Sequence, residues 1–121
     1  MGMSVTVVDD SKMSRRAVIR ALPDEFKLDL HEAQNGMEAI ALFEDGKADV
    51  MFLDLTMPEM DGFEVLAKLK ESQARNFVFV ISADIQPQSQ QKVMELGAVR
   101  FLHKPLEPEQ LKVVLKEVGL L

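Results

Sequence analysis

The chain has 121 residues, 47% of them hydrophobic, and no cysteine, which fits one domain over residues 1–121 and excludes disulfides and thiolate metal or redox sites. Twenty acidic residues against fourteen basic ones give a formal net charge of −6 and a pI of about 4.9, a balance that disfavours autonomous nucleic-acid binding. No apolar stretch approaches the length of a membrane span and no signal peptide precedes the first strand, so a soluble cytoplasmic protein without membrane insertion is expected. Met1-Gly2 with Thr6 formally fits an N-myristoylation pattern, but residues 5–8 read as a buried strand and the match is read as chance.

Residues 4–8 are a β-branched run, followed by a helical pattern over 12–22. There Met13, Ala17 and Ala21 share a face with Val18 and Leu22, while Arg15, Arg16 and Arg20 are placed away from it, and Pro23 marks the stop. Residues 27–33 alternate Leu28 and Leu30 with charged neighbours, as a half-exposed edge strand does. Asn35-Gly36 turns the chain into a helix over 37–44, with Ala39, Ile40 and Phe43 inward. The unbroken apolar run 50–53 suits a strand covered on both faces. A loop with Pro58 and Gly62 leads to a helix over 63–71 that buries Phe63, Leu66 and Leu69, and residues 77–81 form another central strand. Pro87 opens a polar helix that ends before Gly97, anchored by Val93, Met94 and Leu96. Residues 99–102 are the last strand, and 107–118 a closing helix with Leu111, Val114, Leu115 and Val118 on one stripe. Five strands alternating with five helices predict a doubly wound α/β domain, a parallel sheet covered on both faces.

In such a sheet a ligand site lies beyond the carboxyl ends of the strands. The first strand ends in Asp9-Asp10, the third in Asp54, the fourth in Ser82 and the fifth in Lys104. The second ends in Gln34-Asn35-Gly36, which is turn chemistry. Three carboxylates in one cleft repel each other unless protonated or bridged by a cation. An all-oxygen set that leaves room for water and phosphate favours Mg²⁺. His31 falls on an edge strand and His103 alternates away from the site, so both read as structural or surface residues rather than metal ligands or phosphate carriers.

Four blocks occur in order along the chain: Val8-Asp9-Asp10-Ser11, the run from Phe52-Leu53-Asp54-Leu55-Thr56 through Met57-Pro58-Glu59-Met60-Asp61-Gly62, Ile81-Ser82-Ala83, and Phe101-Leu102-His103-Lys104-Pro105. Together they resemble the signature blocks of the response-regulator receiver family of two-component signalling, and the similarity covers essentially the whole chain. The resemblance implies a five-stranded sheet of order 2-1-3-4-5. It implies that Asp54 is the phospho-acceptor and that Asp9, Asp10, Asp54 and the backbone carbonyl of Thr56 hold Mg²⁺. Ser82 and Lys104 would bind the phosphoryl group, and the Lys104–Pro105 peptide would be cis. Phe101 suits a plain core side chain equally well, and the resemblance makes it a switching aromatic. Thr56 and Asp84 would tune the phosphoryl lifetime. The implied protein is a switch rather than an enzyme with a separate substrate, catalysing only its own phosphoryl transfer and autodephosphorylation. It would receive its phosphoryl group from a histidine kinase or phosphotransfer protein. Because the sequence stops at the fifth helix, the phosphorylated state is expected to be read by another protein or by self-association as a homodimer.

The alternatives, a phosphorylation-silent interaction module, an aspartate-nucleophile phosphatase and a flavin carrier, are each disfavoured by particular residues. An aspartate-nucleophile phosphatase of the haloacid-dehalogenase type needs an aspartate two residues after the nucleophile, where Thr56 stands. A flavin carrier on this architecture needs a Ser/Thr/Gly-rich phosphate loop after the first strand and aromatic stackers, but the chain has Asp9-Asp10 there and neither Trp nor Tyr. A phosphorylation-silent interaction module would not need the full acceptor set.

Overall fold

The computed structural model describes residues 3–83 and 86–121. Among these residues the strands are β1 (Val5–Val8), β2 (Leu30–Ala33), β3 (Val50–Asp54), β4 (Phe77–Ser82) and β5 (Arg100–His103). They alternate with helices α1 (Lys12–Ala21), α2 (Gly36–Glu44), α3 (Gly62–Glu71), α4 (Pro87–Glu95) and α5 (Pro108–Glu117). The sheet order is β2-β1-β3-β4-β5, every neighbouring pair is parallel, and the expected architecture and strand order are both present.

Side chains alternate across each strand and so divide the core in two. Val8, Met51, Leu53, Val78 and Val80 pack toward α2, α3 and α4, against Ala39, Val65, Leu66, Leu69 and Val93. Val5, Val7, Val50, Phe52, Phe79 and Ile81 face α1 and α5, against Val18, Leu22, Leu111 and Leu115. On that second face Phe52 stacks on Phe79 at 5.3 Å between ring centroids and meets Phe26 at 6.5 Å.

Three stretches depart from expectation. The residues before β2 do not extend the edge strand. Asp24–Lys27 is a 3-10 turn that carries Phe26 into the core at 0% exposure, so the strand begins only at Leu30. Leu28, whose alternation with Leu30 imitated a strand, is exposed. The face of α1 is also rotated from the expected one. Met13 and Ala17 are exposed, whereas Arg15 is buried in line with Val18. In α4 the anchor is Val93 with Leu96 half-buried, and Met94 points to solvent.

Two close approaches shape the loops at the carboxyl edge. A Cβ on Gly62 would lie 2.6 Å from the carbonyl oxygen of Asp54, and one on Gly36 would lie 2.8 Å from that of Met60. Only glycine lets the starts of α2 and α3 press this closely on the loop after β3. Asn35 and Asp61 cap those helices by accepting from the backbone N–H groups of Glu38 and Glu64, at 2.8 and 3.0 Å. Among the described residues, no helix is long and apolar enough to cross a membrane.

Candidate functional site

The carboxyl ends of β1 and β3 bring Asp9, Asp10 and Asp54 together, with one oxygen from each lying within 4.8 Å of the others. The parallel register that aligns Val8 with Leu53 causes this, because the residues that follow, Asp9 and Asp54, then fall at the same carboxyl edge. Asp9 and Asp54 are buried and Asp10 is exposed. Lys104, just after β5, reaches across β4, with its Nζ 3.0 Å from Asp9 Oδ2 and 3.1 Å from Asp54 Oδ1. The Lys104–Pro105 peptide is cis. Asp9 Oδ1 accepts a further hydrogen bond from the Ser11 backbone N–H at 2.9 Å.

Burial pushes the Asp54 carboxyl above the ordinary carboxylate range, the negative charge of Asp9 adds to the rise, and Lys104 opposes it. For Lys104, burial favours loss of the proton, but the hydrogen bond to Asp9 and the charge of Asp54 outweigh it and its pKa is raised. The ammonium therefore keeps its charge. Three carboxyl groups against one ammonium leave the cleft rich in acidic oxygen donors. That set fits a hard divalent cation such as Mg²⁺, with Asp10 open to solvent.

The remaining expected residues fall around this centre. Ser82 ends β4, is 2% exposed, and its carbonyl accepts from the Lys104 N–H at 3.0 Å. Thr56 is exposed in the loop held at its base by the Gly62 N–H donating to the Leu55 carbonyl at 3.0 Å. Phe101 is half-buried against the α4 side of the core and meets His103 edge-on at 5.4 Å. Asp84 lies outside the described residues. His31 bonds to Asp29 through Nε2 at 2.8 Å and His103 is exposed, away from the carboxylates, as expected of structural or surface residues.

One neighbour of the site was missed from sequence. Arg15 donates from Nη1 to the Asp9 carbonyl at 2.7 Å and from Nε to Glu32 Oε1 at 2.8 Å. A signal existed, since Arg15, Val18 and Leu22 recur at the three- and four-residue spacing of one helical face. A charged side chain on an apolar stripe must find partners there.

Comparison with known proteins agrees with the geometry. The family model described as the response regulator receiver domain matches residues 5–116. The chemotaxis protein CheY of Listeria monocytogenes is 30% identical over 117 residues, covering 97% of this chain and 98% of that protein. CheY of Halobacterium salinarum is 28% identical over 118 residues, 98% of each chain. Among solved structures, a chain of the CheX-CheY-BeF3-Mg²⁺ complex from Borrelia burgdorferi superposes with a TM-score of 0.86 at 28% identity, covering 96% of this chain and 88% of that one. CheY4 of Vibrio cholerae gives 0.83 at 30% identity, over 98% of this chain and 99% of that one. With the sheet order, the acidic trio and the cross-sheet lysine on the same scaffold, the chain belongs to the response regulator receiver family, of the CheY-like kind used in two-component signalling.

Proposed function

We propose that this chain is a Mg²⁺-dependent switch in which Asp54 accepts a phosphoryl group from the phosphohistidine of a histidine kinase or phosphotransfer protein. The observation that carries the reading is the Asp54 carboxylate itself, nearly buried at the end of β3, paired with Lys104 and flanked by Asp9 and Asp10. An ionised Asp54 oxygen forms a bond to phosphorus while the phosphorus–nitrogen bond of the donor breaks. The electron pair departs on the imidazole, which takes up a proton from solvent. In the return step water attacks the phosphorus and the Asp54 carboxylate leaves.

Held by Asp9, Asp10, Asp54 and the Thr56 carbonyl, Mg²⁺ would neutralise the phosphoryl oxygens. Lys104 supplies a fixed positive charge on the opposite flank, and Ser82 donates a hydrogen bond to a phosphoryl oxygen. Thr56 and Asp84 set how long the group survives, through access of the attacking water. Phe101 turns further inward as Ser82 and its loop are drawn toward the phosphoryl group. The altered surface of α4, β5 and α5 is then read by a partner protein or by a second copy of the chain, as a shifted two-state equilibrium. The Borrelia relative, solved with CheX, BeF3 and Mg²⁺, supports both the cofactor and a protein partner.

Incubation with acetyl phosphate and Mg²⁺, followed by intact-mass analysis, tests this reading. One phosphoryl group is expected, released by hydroxylamine as an acyl phosphate, absent from Asp54→Ala and suppressed by chelation of Mg²⁺. Undiminished labelling of Asp54→Ala would refute the assignment.

A further inference from the structure

We infer that Arg15 is a positioning residue for the metal-holding loop, fixing the peptide that joins Asp9 to Asp10 so that both carboxylates face one cation. The inference rests on the proposed Mg²⁺ reading and deepens it. Arg15 is 7% exposed, unlike its neighbour Arg16, which is exposed. Sequestering a guanidinium is costly unless its donors are satisfied, and here two are directed to different elements. Nε reaches Glu32 on β2 at 2.8 Å and Nη1 reaches the Asp9 carbonyl at 2.7 Å.

The planar guanidinium presents these donors at a fixed angle, so the two bonds set its orientation as well as its place. The accepting carbonyl belongs to the Asp9–Asp10 peptide, whose plane contains the Cα atoms of both residues. Holding that oxygen therefore constrains the bases of both side chains at once. Asp9 has further anchors at its carboxylate, from the Ser11 N–H and Lys104. Asp10 is exposed, and the peptide shared with Asp9 is where Arg15 acts on it. Partners that orient metal ligands from behind are worth about 10–100-fold in metal affinity when removed.

The sign of the effect separates positioning from simple electrostatics. Deleting a positive charge beside an acidic cluster should strengthen cation binding by Coulomb's law. Loss of positioning should weaken it.

Calorimetric titration of Mg²⁺ into the metal-free protein reads this directly, with urea unfolding of each variant in parallel. Arg15→Met is expected to raise the Mg²⁺ Kd about tenfold. Arg15→Lys keeps the charge but cannot span Glu32 and the Asp9 carbonyl with a fork, so its Kd should rise about threefold. Arg16→Met, which removes the same charge from the exposed neighbour, should leave Kd within about twofold of wild type. A Kd unchanged or lowered in Arg15→Met overturns the inference even if the variant is less stable, because a merely structural arginine behaves so. Should Arg15→Met fail to fold, an unchanged Kd in Arg15→Lys overturns it instead. Wild-type protein that takes up no Mg²⁺ defeats the metal reading and this inference together, a result distinguishable from failure of the inference alone.

Discussion

β3 and the α4–β5 region lie on either side of β4 and are held by different forces. All five residues of β3 are buried, and Phe52 sits in a chain of rings with Phe26 and Phe79. In β5 three residues are half-buried and the fourth is exposed, and in α4 Val93 is the buried side chain. α4 is tied to α3 by surface contacts as well. Lys70 Nζ donates to the Glu95 carbonyl at 3.0 Å, and Lys92 Nζ lies 4.5 Å from the centroid of the Phe63 ring. Exposed polar ties of this kind contribute at most about 1 kcal/mol each. The proposed acceptor carboxylate thus sits on a fully buried strand, while the elements proposed to carry the output rest on a shallow part of the core. In the proposed switch a firmly packed base would fix the chemistry, and a weakly held flank would let a small bias there become a change of shape.

The contrast is broken most forcefully by core truncation. Phe52→Ala should cost about 3–5 kcal/mol in urea unfolding, while Phe101→Ala, half-buried, should cost about 1 kcal/mol. Equal losses would mean that β5 is as firmly packed as β3. A smaller perturbation sharpens the comparison without mutation. Beryllofluoride with Mg²⁺, standing in for the phosphoryl group, should change amide exchange over residues 86–105 and leave the interior of β3 protected. Changes confined to the loops around Asp9 and Asp54 would remove α4 and β5 from the proposed output.

The smallest effect concerns protons. The folded-state pKa of Asp54 is raised above its ordinary value of 3.8, chiefly by burial and then by Asp9. Its contribution to stability is therefore full below that value and is lost as pH rises through the raised one. Metal-free wild type should accordingly lose stability relative to Asp54→Asn between pH 3.8 and neutrality. Parallel pH profiles for the two proteins would show that burial does not strain this carboxylate.

Much of this contrast was legible in the residues. The unbroken run at 50–53 announced a doubly covered strand, and the strand ends delivered Asp9, Asp10, Asp54, Ser82 and Lys104 to one edge because parallel strands end together. Legibility failed where one long-range partner outweighed a local pattern. Leu28 and Leu30 imitate alternation, yet Phe26 finds the ring of Phe52 and converts the preceding residues into a turn. Arg15 was set aside as polar, since its burial depends on Glu32 and on a backbone carbonyl that sequence periodicity cannot foresee. The roles proposed for Thr56 and Asp84 rest on family resemblance, and Asp84 lies outside the described residues.

Lys104 makes one last point. Its ammonium has three N–H groups, and two of the three are directed at Asp9 and Asp54, lacing the end of β5 to the ends of β1 and β3. In the proposed phosphorylated state the same ammonium would also serve a phosphoryl oxygen. Under the proposed function the lysine is a place-holder for its own visitor, completing the resting arrangement and shared with a phosphoryl group when one is present. In the proposed switch these two ion pairs would hold the off position and re-form once the phosphoryl group has gone.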